Sequence, residues 1–566
     1  MTTTVIRGGT VVDGTGAPPR EADVAISGDR IVAVERALPR GDQEIDARGL
    51  LVTPGFVDIH THYDGQATWS ERLAPSSSHG VTTAIMGNCG VGFAPCRPDE
   101  RDMLVRLMEG VEDIPGVVLE EGLPWGWESF PEYLDSLSRR RFDIDLGSQV
   151  PHAALRIYVM GRRAALREPA TEADAAAMAR LAAEGIAAGA LGFSTSRTLA
   201  HKSSDGVPTP TLNAYEPELM AIAEAIGRTG RGVLQIVTDH PADDGEFAML
   251  SGLARRSGRP LSISLGQADR APDKWRHALD LIAGAVDSGL PIKAQVCGRA
   301  VGLVFGLELS LNPFSSHPSW AAIADKPLAD KVAALKDPAF RARLLAEQPS
   351  DRAMKERLFN FERLFPFAER PDYEPPVEAS IAGRARALGR DPAELALDLL
   401  VEQDGHATFY RPLLNYAAGN LDACAEMLGH RDSLVSLGDG GAHYGFICDA
   451  SLPTFMLAHW TRDRRHGRRF GLPEMVHALS RRNALAVGLA DRGLVALGAK
   501  ADLNVIDYDR LALQASRVSY DLPAGGRRLL QDATGYRATL VSGVVTRRDD
   551  QATGALPGRL VRGAQA

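Results

Sequence analysis

The sequence lacks the features that place a protein in or across a membrane. No apolar run reaches the roughly 18 residues that a membrane-spanning helix needs, so no membrane span is expected. The first residues, MTTTVIRGGTVV, contain neither a basic region nor an apolar stretch behind it, and no secretory signal peptide is expected. Cysteine is also scarce, with five residues spaced irregularly along 566. This scarcity argues against a disulfide framework and indicates a reducing cytoplasm.

Positive charge is in deficit as well. The chain carries 63 lysines and arginines against 72 aspartates and glutamates, a formal net charge of −9. Basic residues form only short clusters such as Arg139–Arg141, so a nucleic-acid partner is not expected. We expect a small-molecule partner instead, and the sequence leaves the oligomeric state open, a homo-oligomer included.

Both ends of the chain predict short β-strands. Residues 4–35 alternate apolar and polar side chains around turns at Asp13-Gly14 and Gly28-Asp29. The C-terminal segments KADLNVIDYD (500–509) and YRATLVSGVVTRR (536–548) show a similar pattern. Two β-rich ends that flank a long middle favour one small β-sandwich domain, built from residues 1–54 and 485–566.

Helical and strand patterns alternate through the middle of the chain. Thr171 to Asp174 is typical of a helix start, and Asp391, Pro392 and Glu394 fit the N-cap, first and third positions of another helix. After the segment that ends at His60 and a second strand near 81–87, strand-like segments recur at 190–196, 232–238, 261–265, 291–297, 407–410 and 433–439. Repeated βα units of this length predict a parallel sheet, and about eight strands predict an α/β fold, a TIM-like (β/α)₈ barrel over residues 55–484.

Two insertions interrupt this alternation, near residues 97–145 and 305–375. The first follows the second barrel strand, and the second follows the sixth strand or a neighbour of it. Both are expected to cover the C-terminal mouth of the barrel as lids, the alternative being peripheral insertions without a catalytic role. Their aromatic residues hint at an apolar or aromatic acyl group in the substrate, or else form the small cores of the lids themselves: Trp125, Trp127, Phe130 and Trp320.

The segment PGFVDIHTHYD (54–64) carries the strongest chemical signal. Side chains alternate along a strand, so His60 and His62 at its end point to the same side, where two imidazoles suit a divalent metal. Cys89 follows the second strand in a Gly-rich turn, and Asp439 follows the last strand. Barrel closure makes the last strand the neighbour of the first, so these four residues form a plausible zinc set. The alternatives are loop histidines, a small core cysteine and an aspartate that only makes a turn.

Several segments together resemble one known family: GFVDIHTHYD (55–64), GNCG (87–90), VPHAALR (150–156) after a third barrel strand, GALGFSTSR (189–197) at the fourth strand, and SLGDGGAH (436–443). With the β-rich termini they resemble the amidohydrolase superfamily, and within it the D-aminoacylase (N-acyl-D-amino-acid deacylase) branch. The resemblance covers nearly the whole chain. It implies a barrel with a β-sandwich, zinc, and hydrolysis of an amide-type carbon–nitrogen bond. It also implies that Cys89 takes the place of the bridging carboxylated lysine of other members.

The chain departs from the pattern of this family at three positions. The family carries metal-binding histidines at the ends of the fifth and sixth strands, where this sequence is expected to place Val237 and Leu265. The second metal site is therefore expected to be dismantled, unless the loop brings His240 back as a substitute. Gln267 stands where D-aminoacylases place a lysine that holds the substrate carboxylate, which puts an N-acyl-D-amino acid substrate in doubt.

These residues predict a hydrolase with one zinc per chain. Zinc lowers the pKa of a bound water toward about 7, and Asp439 is expected to take the proton and pass it to the leaving group. His152 and His443 are candidates for the donor that steadies the oxyanion, or else brace a strand end and a loop. Arg197 or Arg299 could hold a substrate anion, a surface role being the alternative for each. Two further histidines are assigned to the surface: His201 and His430.

Two other classes of function compete with a hydrolase. A metal-dependent isomerase or lyase could use the same barrel without hydrolysis. A degenerate member could bind a ligand without turnover, which the missing strand histidines favour and the retained His60, His62, Cys89 and Asp439 oppose. The expected function remains cleavage of an N-acyl amino acid or a related small amide.

Overall fold

The two ends of the chain meet in one nine-stranded sheet. Its strands are Thr3–Val11, Arg20–Ser27, Arg30–Glu35, Gln43–Asp46, Leu51–Pro54, Leu503–Ile506, Tyr536–Val541, Val544–Arg548 and Gln551–Ala552. The halves join where Leu51–Pro54 pairs antiparallel with Leu503–Ile506, in a register that sets Val52 opposite Val505. A separate hairpin pairs Ala512–Ser519 with Arg528–Thr534. One β domain from both termini is therefore present.

The computed structural model describes residues 3–349, 358–367, 370–447 and 449–563. Part of the second predicted lid, residues 350–357 and 368–369, lies outside the described residues, as do Cys448 and the outermost terminal residues. None of the helices in the described part of the chain combines the length and apolarity that crossing a bilayer requires.

Eight parallel strands form the second sheet, and we number them first to eighth along the chain. They are Phe56–Asp58, Val81–Met86, Asp145–Pro151, Gly192–Arg197, Val233–Thr238, Leu261–Leu265, Ile292–Val296 and Ser433–Val435. The first and eighth strands are joined beyond their C-terminal ends, because Asp439 N–H donates to the carbonyl of His60 (3.0 Å) and His62 N–H donates to that of Gly440 (2.7 Å). Lower down, the Asn483 side chain donates to the carbonyls of both Val57 and Val435. The predicted (β/α)₈ fold class is confirmed.

Helices cover this barrel and build its insertions. Glu172–Ala188 begins with the reciprocal capping contacts of Thr171 and Asp174, and the Asp391 side chain caps Pro392–Leu400, as the sequence predicts. The other α-helices of the described residues are Gln66–Trp69, Arg101–Glu112, Gly116–Gly122, Phe130–Ser138, His152–Met160, Arg162–Ala165, Glu216–Arg228, Asp244–Ser257, Lys274–Asp287, Pro318–Ala321, Leu328–Lys336, Pro338–Ala346, Ile381–Leu388, Asp422–Leu428, Leu452–Ala458, Leu472–His477 and Asn483–Ala486.

One predicted strand lies outside the barrel. Residues 407–410 belong to Thr408–Leu414, which pairs antiparallel with Val301–Phe305 and Phe365–Phe367 in a three-stranded sheet. The second insertion therefore follows the seventh barrel strand, the neighbour of the sixth strand. It has its own apolar core, to which Trp320 contributes, so this tryptophan stabilises the insertion itself.

The first insertion follows the second strand and contains the helices Arg101–Glu112, Gly116–Gly122 and Phe130–Ser138. Its aromatic residues also pack on one another: Trp127 contacts Trp125 and Tyr133, and its ring N–H donates to the carbonyl of Phe93. Residues 485–566 were expected to belong to the β domain, but the C-terminal tail of this segment contacts the other end of the barrel. There Gly558 and Leu560 make bridges to Phe142 and Leu146 at the third strand.

Candidate metal centre and active site

His60 and His62 lie just beyond the first barrel strand and are both fully buried. Alternation along the extended chain puts the two imidazoles side by side, with ring centroids 5.4 Å apart. Nε2 of His60 lies 3.2 Å from Sγ of Cys89, which enters from the second strand. One ligand atom from each of these three residues lies within 4.8 Å of the other two.

Cys89 reaches the histidines from a tight turn. Its own φ is +55°, and Gly87 before it has φ +78° with no room for a side chain beside the backbone of Gln149. The Asn88 side chain ties this turn to the carbonyls of Thr61 and Ile85. Burial raises the pKa of the Cys89 thiol to about 11. Two imidazoles and a thiol that would ionise on binding a cation are a donor set that fits zinc.

Asp439 approaches from the opposite side, beyond the eighth strand. Its Oδ1 lies 3.6 Å from Nε2 of His60 and 3.7 Å from Nε2 of His62. Burial would raise the pKa of this carboxyl, but the contact with His62 and the charge of His60 hold the pKa below its ordinary value. Asp439 therefore presents an ionised carboxylate at neutral pH.

A neutral amide fixes the orientation of His60. Oε1 of Gln295, on the seventh strand, lies 2.8 Å from Nδ1 of His60 and also accepts from the Ser436 hydroxyl. Because an amide oxygen can only accept, Nδ1 of His60 carries the proton and Nε2 offers its lone pair to the cluster. On the fifth strand, Oε1 of Gln235 accepts from Cys89 N–H (3.1 Å) and holds the turn.

The fifth and sixth strands bring no histidine to this cluster. Gln235 points into the barrel and contacts Ser264 (Nε2 to Oγ, 3.4 Å), so Ser264 is the inward residue at the end of the sixth strand. Leu265 is buried on the opposite face of the strand. The position of the missing sixth-strand histidine, which the sequence analysis placed at Leu265, is therefore corrected to Ser264. His240 does not substitute, since it is exposed and paired with Asp243.

Glu112 is a site residue that the sequence interpretation missed. It ends the helix Arg101–Glu112 in the first insertion and is 1% exposed. Its Oε1 lies 3.3 Å from Nδ1 of His62, and its Oε2 lies 3.6 Å from Nε2 of His443. Burial raises the pKa of its carboxyl to about 7, against the opposing charge of His62. The signal was readable, because Leu104, Met108 and Glu112 share one face of the helix and put a carboxylate in an apolar stripe.

His443 lies at the rim of the cluster. Its backbone N–H donates to the carbonyl of Glu112, and its ring stacks on Phe446 with centroids 5.7 Å apart. Burial lowers the pKa of His443 to about 4, although the charge of Asp439 opposes the shift. The ring is therefore neutral at pH 7 and carries one N–H that it can donate.

His201, assigned to the surface, lies at the mouth instead. The loop after the fourth strand folds back, with Thr209 N–H donating to the carbonyl of His201, and Nδ1 of His201 lies 2.8 Å from the Ser196 hydroxyl. Burial lowers the pKa of His201 to about 3, and His62, His443 and His60 lower it further because they are cationic in the acidic range where His201 titrates. The loop after the fourth strand thus adds a neutral imidazole near the cluster.

Two other expected site residues are occupied elsewhere. Both ring nitrogens of His152 are taken, by Thr195 Oγ1 and Glu218 Oε1, each at 2.8 Å, so the geometry gives neither nitrogen to the cluster. Arg197 is paired with both carboxylate oxygens of Glu246 (2.7 and 3.0 Å). His152 was expected as a candidate catalytic donor, but the structure gives it a buried structural role.

Arg299 and Gln267 also serve structural contacts. Arg299 is fully buried, donates to Asp449 (2.8 Å) and lies 3.9 Å above the ring of Tyr373. Gln267 donates to the carbonyl of Pro272 and accepts from Ala417 N–H, which uses both ends of its amide. Neither side chain is presented as an anion-binding group.

Comparison with known proteins agrees with this geometry. The family model described as "Amidohydrolase family" matches residues 43–547. The chain is 32% identical over 290 residues to a D-aminoacylase, and 33% identical over 321 residues to an N-acyl-D-glutamate deacylase, both from Alcaligenes xylosoxydans xylosoxydans. These matches cover 50% and 55% of this chain and 54% and 57% of the relatives, so the chain spans about half the length of the curated relatives it matches.

Solved structures show the same fold over the whole chain. A D-aminoacylase studied for its binuclear metal centre has a TM-score of 0.66 at 23% identity, over 99% of this chain and 100% of that one. An N-acyl-D-glutamate deacylase from Bordetella bronchiseptica, complexed with zinc and a phosphonate inhibitor, has a TM-score of 0.66 at 21% identity, over 99% of both chains.

Proposed function

This chain belongs to the amidohydrolase family, and on that premise we propose that it is a metal-dependent hydrolase of an N-acyl amino acid or a related small amide. The observation that carries the proposal is the convergence of His60, His62 and Cys89 at the C-terminal end of the barrel, with the carboxylate of Asp439 3.6 Å from His60. Catalytic groups of such barrels lie at this end. Relatives that cleave N-acyl-D-amino acids, by their names, support the class of substrate.

The proposed cofactor is one zinc ion per chain. His60, His62 and Cys89 would hold it, with Asp439 beside them. When bound, zinc supplies a Lewis acid and lowers the pKa of a bound water. The fifth and sixth strands contain no histidine; their inward-facing residues include Gln235 and Ser264, and an amide and a hydroxyl are poor substitutes for two imidazoles. That substitution supports one metal rather than two.

The protein groups have separate roles in the proposed reaction. Asp439 is held ionised, so it can accept a proton from the attacking water and return it to the leaving nitrogen. His443 is neutral and can donate its ring N–H to the oxygen of the scissile carbonyl. Gln295 and Gln235 hold His60 and Cys89 in place by hydrogen bonds.

The side chains that the sequence offered for substrate binding have other partners. Arg197 forms an ion pair with Glu246. The side-chain amide of Gln267 is hydrogen-bonded to the backbone of Pro272 and Ala417. These residues therefore do not supply the cation that an amino-acid carboxylate would need, which supports including small amides without that group. The four described cysteines are free and buried, which supports placing the protein in the cytoplasm.

Metal content and the fate of solvent oxygen test the proposal. Protein purified without chelator is expected to contain close to one zinc per chain by plasma mass spectrometry. During turnover of a panel of D- and L-N-acyl amino acids and simple amides in heavy-oxygen water, the carboxylate product should gain solvent oxygen. Turnover without that label would indicate an isomerase or lyase, and absence of metal after reconstitution would overturn the proposal.

A further inference from the structure

We infer that Glu112 is a positioning residue, which holds His62 so that its Nε2 faces the metal and its Nδ1 carries the proton. The inference rests on the proposed metal site and assigns a role in it to the first insertion. Glu112 would act through His62 and has no contact with substrate in this role.

The carboxylate lies between two imidazoles. Its Oε1 is 3.3 Å from Nδ1 of His62, while Nε2 of the same ring is 3.7 Å from Oδ1 of Asp439, on the side of the metal cluster. The two nitrogens of His62 thus have different surroundings. Nδ1 of His62 is buried without a hydrogen-bond partner among the described residues, and the carboxylate oxygen of Glu112 at 3.3 Å is an acceptor placed beside it. A carboxylate behind a histidine ligand fixes its tautomer and increases its basicity.

The backbone around Glu112 keeps the carboxylate in place. Asp113 adopts φ +49° and ends the helix, and its Oδ2 accepts from Gly445 N–H (2.8 Å) and the Ser310 hydroxyl (3.2 Å). The hydrogen bonds from Gly445 N–H and from His443 N–H, which donates to the carbonyl of Glu112, tie the first insertion to the loop that follows Asp439. The contact with Ser310 ties it to the second insertion. The first insertion therefore belongs to the site and is more than a cover over it.

His60 and His62 differ in what supports them. A neutral amide, Gln295, stands behind His60, whereas a carboxylate stands behind His62. Oε2 of the same carboxylate reaches Nε2 of His443 (3.6 Å), so Glu112 also links a candidate metal ligand to the candidate oxyanion donor. The charge of Glu112 is what Gln295 lacks, and this difference can be tested by exchanging one group for the other.

Zinc affinity provides the test. Glu112→Gln keeps an acceptor for His62 but removes the charge, and Glu112→Leu removes both. Competition with a chromogenic chelator is expected to show zinc binding weakened by about tenfold in the first variant and by up to about 100-fold in the second, the range found for partners of metal ligands. The absorption spectrum of the cobalt-substituted protein should change as well, because the ligand field depends on His62.

The melting temperature of the apoprotein shows whether each variant folds. Glu112→Gln has the same shape as the parent side chain, so it is sufficient for the test if Glu112→Leu does not fold.

Asp113→Asn is the matched control. It removes a carboxylate one residue away and keeps the oxygen that accepts from Gly445 and Ser310, so its zinc affinity should stay within about twofold of the parent. Parent-like affinity and an unchanged cobalt spectrum in Glu112→Gln and Glu112→Leu would overturn the role of Glu112 and leave the metal site standing. Absence of zinc binding by the parent protein would overturn the metal site and this role together.

Discussion

Under the proposed mechanism, replacing Asp439 should separate catalysis from metal binding. Its carboxylate is ionised and lies beside both histidines, while His60, His62 and Cys89 provide three donors without it. We expect Asp439→Asn to retain close to one zinc per chain and to lose turnover by at least about 100-fold, because an amide cannot accept the proton of the attacking water. Metal content and initial rates on the same preparation check both statements. Substantial activity in the variant would exclude Asp439 as the base.

At the scale of single residues, the sequence predicted those candidate site residues that follow the ends of strands. His60, His62, Cys89 and Asp439 were readable because period-2 alternation and parallel strands place such residues at one end of a barrel. His201 comes from a loop, where no periodicity fixes the direction of a side chain. Glu112 comes from a helix of the first insertion, where a carboxylate in the apolar stripe was the signal that the sequence interpretation passed over. Arg197 and Arg299 carried the right charge, but the sequence does not show that Glu246 and Asp449 neutralise them.

Among the elements, the turn after the second strand sets the position of Cys89. Gly87 has φ +78°, and a Cβ there would overlap the backbone of Gln149. We expect Gly87→Ala to weaken zinc binding by at least about tenfold, since the turn must shift, and to lower the free energy of unfolding by about 2 kcal/mol or more, through backbone strain and the steric clash. Chelator competition and urea unfolding measure the two effects.

Gly16→Ala is the control for that strain. Gly16 has φ +88° but open space around it. Alanine there should lower the free energy of unfolding by about 1 kcal/mol, through backbone strain alone, and leave zinc affinity unchanged. If both variants bound zinc like the parent, the turn would not determine where the thiol lies.

Local pattern identified most of the barrel strands, although not Asp145–Pro151, and could not assign every strand to its sheet. Residues 407–410 have the composition of a buried strand, yet they pair with Val301–Phe305 outside the barrel. Pairing depends on which segment lies alongside, and a single apolar run contains no information about its neighbour. Helix starts were more readable, because capping contacts such as Thr171 with Asp174 are made within four residues.

In the whole molecule, a buried ionic cluster joins the barrel to the β domain. Asp145 begins the third barrel strand, and its Oδ2 accepts from Arg492 (2.7 Å) and from Lys500 (2.9 Å), which also pairs with Asp502. All these side chains are nearly inaccessible to solvent, so the charges depend on one another for compensation. The cluster lies at the end of the barrel away from the metal centre, where changes affect stability rather than chemistry.

We expect Asp145→Asn to lower the free energy of unfolding by about 3–5 kcal/mol, because it leaves Arg492 and Lys500 buried with one carboxylate fewer. Burial would raise the pKa of Asp145, but the charges of Lys500 and Arg492 outweigh it and hold the pKa below its ordinary value. The ionised carboxylate of Asp145 therefore stabilises the fold above a pH of about 4, and this stabilisation is lost as the pH falls through the lowered pKa of Asp145. The parent and the variant should then have similar free energies of unfolding in acid. Urea unfolding at neutral pH and in acid measures the difference, while zinc affinity should not change. An equal loss of stability at both pH values would assign the effect to packing of the side chain, since the charge of Asp145 is what the two conditions change.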